Sequence, residues 1–128
     1  MNPSYAIFTG QSNTRSGNEV YPALVDLTGK EACLVVAANN SGTLSVNLPA
    51  AETATPHGVI GQGKSNQATV FFPSPCDVFR LKLTGTCDPG DTLTLRTDGT
   101  VEANGSGTDY ATAEEAGVDG QLVASRKL

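Results

Sequence analysis

Reactive side chains are few in this sequence: one histidine, His57, three cysteines, Cys33, Cys76 and Cys87, and the lysine in GVIGQGKS, Gly58 to Ser65. That run fits the phosphate-loop pattern G-x-x-x-x-G-K-[ST], whose chemistry needs a strand before the loop and a helix after it, so that backbone N–H groups converge on phosphate oxygens. Neither flank complies, because Pro56-His57 precedes the glycines and NQATVFFP, a strand-like run closed by proline, follows. No apolar strand ending in Asp lies downstream to hold magnesium. The expected structure is a glycine-rich turn between strands with Lys64 exposed.

His57 would have to be the base of any serine or cysteine triad. Asp26, Asp77 or Asp88 could orient it and Cys33 or Cys76 could act as nucleophile, but no context such as G-x-S-x-G supports a pairing, and a turn histidine is expected. One His and three scattered Cys lack zinc-ligand spacing. Asp88 and Asp91 flank Pro89-Gly90 in DPGD, which is turn composition before it is a calcium loop. The chain is therefore expected to be no enzyme, with no catalytic, cofactor-binding or metal-binding residue.

The elements that would hold these residues read as short strands. In PGDTLTLRTDGTVEAN, Leu93 and Leu95 alternate with Thr92, Thr94 and Arg96, and Val101 and Ala103 alternate with Thr100 and Glu102. A two-residue loop at Asp98-Gly99 would set Leu95 opposite Glu102 and mix the two faces. A three-residue loop, Thr97 to Gly99, sets Leu95 opposite Val101 and Leu93 opposite Ala103, with Gly99 in the left-handed position. ACLVVAA, the turn NNSG and TLSVNLP predict a second hairpin whose first strand is apolar on both faces and hence central, with Leu44, Val46 and Leu48 alternating behind it. ATVFF is a strand stopped by PSP, and DVFRLKLTG turns Phe79, Leu81 and Leu83 one way and Arg80 and Lys82 the other. DYATAEEAG, Asp109 to Gly117, permits a helix, a single helical turn or a loop. GQLVASRKL can close the sheet as a strand through Leu122 and Ala124.

At 128 residues, with no Trp and abundant Gly, Ser, Thr and Asn, the chain suits one all-β domain. The expected fold is a small β-barrel or β-sandwich of short antiparallel strands with at most one short helix. Residues 1–20 read as an extended N-terminal arm whose apolar cluster is Tyr5, Ile7 and Phe8, and residues 21–128 as a single β-rich domain. No period of about 20 to 50 residues recurs, which excludes a solenoid.

The net charge is −5, and Thr84 to Gln121 carries the acids Asp88, Asp91, Asp98, Glu102, Asp109, Glu114, Glu115 and Asp119 against Arg96 alone. Such a segment repels phosphate, so direct nucleic-acid binding is not expected. It is read as a solvated acidic face, with a patch for a basic partner as the sharper alternative. No stretch approaches the ~18 apolar residues of a membrane span, and MNPSYAIFTG lacks the basic start and apolar core of a secretory signal. The chain is expected to stay inside the cell that makes it, with reduced thiols. The N-x-S/T matches at Asn39 and Asn104 then carry no meaning.

From HGVIGQG through VFRLKLTGTCDPGDTLTLRTDGTVEAN to YATAEEAGVDGQLVASRKL, the sequence resembles the capsid cement, or decoration, proteins of tailed bacteriophages. The shared grammar is a GV-x-G run, a strand, a PGD-type turn, a strand ending in DG and V, an Ala-rich stretch and a G-x-L-V closing strand, covering Gly58 to Val123. The resemblance implies a structural virion protein on the capsid exterior, made in the host cytoplasm. Its partner would be the major capsid protein, whose subunits it would bridge, often as a homotrimer. It implies no cofactor and no catalytic residue. Under that reading Tyr5, Ile7 and Phe8 are the expected capsid or subunit contacts, adding a strand or filling a groove on a neighbour. The alternative is a receptor- or glycan-binding β-module of a virion fibre or cell surface, which would want exposed aromatics where this chain has only Tyr5, Tyr21 and Tyr110 and no Trp.

Overall fold

The computed structural model describes residues 18–128, and every regular element among them is a strand. The strands are β1 (Asn18–Pro22), β2 (Leu34–Asn40), β3 (Thr43–Asn47), β4 (Gly58–Gly63), β5 (Gln67–Phe71), β6 (Val78–Lys82), β7 (Thr92–Leu95), β8 (Val101–Ala103), β9 (Asp109–Ala113) and β10 (Leu122–Lys127). Residues 18–20 of the expected arm belong to β1, where Asn18 lies opposite Phe71.

Two five-stranded antiparallel sheets result, in the orders β1-β5-β4-β2-β3 and β6-β10-β9-β7-β8. Both orders are the same when each sheet is counted from its own first strand. The second and third strands form a hairpin, the fourth pairs with the second, and the fifth lies between the fourth and the first. Each sheet also curls back on itself through one parallel bridge between its first and third strands, Ala23 with Val46 and Leu83 with Val101. The bridges are made by Leu24 N–H donating to Val46 O at 3.0 Å and Thr84 N–H donating to Val101 O at 2.8 Å. One wiring scheme is thus used twice in succession.

Turn chemistry sets the hairpin registers. Ser41 and Gly42 have φ of 52° and 87°, the mirror-image conformation a two-residue loop requires, and Asn40 faces Thr43 across it. In the second sheet Leu95 faces Val101 and Leu93 faces Ala103, the three-residue register, with Gly99 at φ 86°. Strand β2 pairs with both β3 and β4, as its two apolar faces predict.

The sheets share a core. Leu34 and Val59 from the first sheet pack in one cluster with Leu81, Leu83, Leu93, Leu95, Val101, Tyr110, Ala111 and Val123 of the second half of the chain. A second cluster, including Leu27, Cys33, Val35, Val46, Ile60 and Val70, fills the inside of the first sheet. Each such Leu or Val removed from water contributes about 1.5–3 kcal/mol before the entropy of ordering the chain is counted. Hydrogen bonds pin the halves together: Leu34 N–H donates to Gly99 O at 2.7 Å, Lys82 N–H to Ala32 O at 3.0 Å, and Thr108 N–H to Glu52 O at 2.9 Å. A Cβ on Gly99 would stand 2.8 Å from Leu34 O, so this turn needs glycine for contact as well as for φ.

Three expectations are corrected. Asp109 to Ala113 is neither helix nor loop but strand β9, paired with β7 and β10. The register shifts between Asp109 and Ala111, so the consecutive residues Tyr110 and Ala111 are both buried, and this packing overrides the helical preference of Ala and Glu. Gly58 to Gly63 is not a turn but strand β4. Its glycines serve close packing, since a Cβ on Gly63 would lie 1.9 Å from Leu27 O and one on Gly58 2.5 Å from Val70 Cγ1. The closing strand β10 forms, but with the opposite parity: Val123 and Ser125 are buried, while Leu122 is exposed and Ala124 only half-buried. Ser125 Oγ satisfies itself by donating to Val123 O at 2.9 Å.

Candidate interaction groove

The residues with reactive chemistry are put to structural use. His57 N–H donates to Val35 O at 2.7 Å, and its Nε2 lies 3.3 Å from Tyr21 Oη. Its ring meets Tyr21 and Phe72 edge-on, each at 5.3 Å between centroids. Burial, and secondarily Glu19, pushes the Tyr21 phenol up. The carboxylates proposed to orient His57 act elsewhere. Asp26 Oδ1 accepts from Thr28 N–H at 2.9 Å, Asp77 Oδ2 from Ser74 N–H at 2.9 Å, and Asp88 lends its own N–H to Asp91 Oδ2 at 2.9 Å. Cys33 and Cys87 are buried and free, and burial pushes both thiols up, away from a reactive thiolate. Cys76 is free and exposed. Lys64 opens the turn into β5, its N–H donating to Gln67 O at 2.9 Å, and the helix N-terminus a phosphate loop needs is replaced by that strand. Among the described residues no cluster of His, Cys, Asp and Glu gathers to hold a metal.

The acids of Thr84 to Gln121 are also largely occupied. Arg80 reaches Glu115 at 3.3 Å, Arg126 reaches Glu114 at 3.1 Å and Arg96 reaches Glu102 at 3.0 Å. Asp119 Oδ1 accepts from Gly85 N–H at 2.8 Å. Burial opposes ionisation of Asp98, but hydrogen bonds from the Thr100 hydroxyl and N–H, with Arg96 nearby, outweigh it and hold its pKa below the ordinary carboxylate value. The acidic segment is mostly a set of turn caps and cross-strand pairs.

An apolar concave feature lies where β5 hands over to β6. Pro73 and Pro75 end β5, and the connection to β6 runs beside a groove of about 670 Å³ lined by Phe71, Phe72, Pro73, Val78 and Phe79, with Ser74 and Asp77 as its polar members. Its walls are held from behind. Cys76 N–H donates to Lys127 O at 2.9 Å, Lys127 N–H to Asp77 O at 2.9 Å, and Arg126 Nη1 to Cys76 O at 3.3 Å. Phe71 meets Phe79 edge-on at 6.1 Å, Phe79 meets Tyr110 the same way at 6.1 Å, and Lys127 Nζ caps the Tyr110 ring at 4.7 Å. Burial pushes the Tyr110 phenol far up, which keeps it protonated beneath the Lys127 ammonium. Phe72 and Val78 remain 37% and 56% exposed. Strand β6 is an edge of its sheet, laddered to β10 on one side and bonded on the other at Lys82 N–H, which donates to Ala32 O.

This groove was not foreseen from the sequence. Its one signal is Phe71-Phe72 set against Pro73: consecutive strand residues face opposite sides, so one of two adjacent phenylalanines must point away from its own core. Tyr5, Ile7 and Phe8, the expected contact residues, lie outside the described residues.

No protein-family model matches the sequence, and no curated protein matches it. The fold itself is shared with a solved component of a phage particle. That component is the N base of the head fiber gp8.5 of bacteriophage phi29, which superposes with a TM-score of 0.72 over 88% of this chain and 93% of that chain, at 19% sequence identity.

Proposed function

We propose that this chain is a structural virion protein of a tailed phage that attaches to the outer surface of the capsid and stabilises the shell by bridging major capsid protein subunits. The observation that carries this reading is the fold correspondence with a phage head-fiber base over nearly the whole of both chains. The cement-protein grammar of Gly58 to Val123 supports it independently. The chain acts as a homotrimer, without catalysis, cofactor or nucleic acid, and its arm residues Tyr5, Ile7 and Phe8 contact a neighbouring subunit. A ligand that prefers the mature lattice stabilises it by mass action, and a stiff scaffold loses little freedom on binding.

The test is to mix the purified protein with undecorated mature capsids, pellet them and heat them. Saturable binding and a raised shell-disruption temperature are expected. Removing residues 1–10 is expected to abolish binding while leaving the fold of the free protein intact by circular dichroism. Absence of binding by the full chain refutes the proposal, and full occupancy by the shortened chain removes the arm from it.

A further inference from the structure

We infer that the groove between Phe72 and Val78 is the receptor for Tyr5, Ile7 and Phe8 of a second copy of this chain, so that copies are tied together by exchanging their N-terminal segments. The inference rests on the reading of the arm as a subunit contact and names the neighbour and the seat.

Four observations converge. The groove's volume of about 670 Å³ falls within the ~300–1,000 Å³ of pockets that take compact apolar groups. Its exposed rim is Phe72 and Val78, large apolar side chains whose burial a partner would reward. The sequence outside the described residues supplies one matching apolar cluster, Tyr5, Ile7 and Phe8, in the β-prone run YAIFT. Beside the groove, β6 offers an edge strand that an extended segment can pair with.

The position of the chain's entry favours a second copy over the same one. Asn18 lies opposite Phe71, itself a wall of the groove, and β1 runs antiparallel to β5, so the described chain begins at the end of β5 that leads into the groove. Filling its own groove would need residues 9–17 to reverse direction and close a loop. Continuing outward, those residues span about 30 Å at ~3.3 Å each, against a radius of gyration of about 13 Å for a domain of this size. That reaches a neighbour. Because each copy has one arm and one groove, the exchange is head-to-tail and closes into a ring when the rotation permits.

Cys76 provides the test, since it is exposed and sits in the connection that walls the groove, whereas Cys33 and Cys87 are buried. Unlabelled and ¹⁵N-labelled full-length Ile7→Cys protein is mixed and oxidised with diamide in the absence of capsids. A disulfide-linked peptide pair joining position 7 to Cys76 is expected, with mixed isotopes. Covalent species should extend beyond the dimer, which the wild type, with one exposed thiol, cannot exceed. Ile7→Cys combined with Cys76→Ser should lose the pair. Separately, Val78→Glu, at an exposed position, is expected to reduce the oligomer to monomer by light scattering while leaving the β-sheet circular-dichroism spectrum unchanged. A pair of single isotope only, meaning the arm seats in its own groove, overturns the inference; so does absence of the pair, or an oligomer indifferent to Val78→Glu. None of these results bears on capsid attachment, which the pelleting experiment measures alone.

Discussion

The two sheets share one strand order and one kind of apolar packing, to which the second adds ion pairs. Both, the first spanning β1 to β5 and the second β6 to β10, rest on apolar contact and on glycines that let neighbours approach, as at Gly63 under Leu27 and Gly107 under Leu95. In the second lie the ion pairs of the described residues, Arg80 with Glu115, Arg96 with Glu102 and Asp98, and Arg126 with Glu114. Their acids double as turn and strand caps, as when Glu115 Oε2 accepts from Ala124 N–H at 2.9 Å. The comparison shows that connectivity does not dictate the chemistry that secures it. A path of hairpins and one parallel bridge can be fixed by steric fit with or without added ion pairs.

If that contrast is right, steric change in the first sheet should cost far more than charge removal in the second. Gly63→Ala is expected to lower stability by about 3 kcal/mol, because the added methyl meets backbone that cannot rotate away. Urea denaturation followed by fluorescence of the tyrosines measures it. Since Leu34 and Val59 join the core of the second half, the loss should appear as one cooperative transition at lower denaturant. Two separate transitions would show that the halves fold independently and break the comparison.

Asp98 gives an intermediate effect with a defined sign. Its folded pKa is depressed, so the stability it adds is fully present above the unfolded carboxylate value near ~4 and is lost as pH falls through the folded value. Asp98→Asn is therefore expected to cost less than about 1 kcal/mol at pH 7 and to flatten the decline of the urea midpoint at acid pH. An unchanged acid slope would remove Asp98 from the account. The smallest effect is expected for Glu114→Gln, which weakens a pair with exposed Arg126 and should barely move the urea midpoint, the shift shrinking further in high salt.

What could be read from the sequence follows the same division. One hairpin register was legible because turn residues report backbone conformation directly: Thr97-Asp98-Gly99 fixes loop length, and loop length fixes pairing, whereas NNSG marked the other turn without its register. The alternation in VFRLKL placed Leu81 and Leu83 inside, where they are. Glycines in β4 misled because their usual meaning is a turn, while here they accommodate neighbours brought from 36 positions upstream, as Leu27 is to Gly63. Strand β10 was read in the wrong parity because Ser125 is buried by satisfying its own hydroxyl, and Leu122 is left outside. The repeated wiring left no periodic sequence trace, since only turn positions and strand parity need recur. The groove was illegible because its walls, Phe71 and Val78 among them, meet only when β5 and β6 are placed side by side.

The central claim is that this fold works by contact, joining subunits of a shell. Electron cryomicroscopy of mature capsids saturated with the full-length protein tests it most directly. Density matching the two-sheet fold is expected on the outer surface, each copy touching at least two major capsid protein subunits. Bare shells at saturating protein, or density confined to a single subunit, would contradict the account.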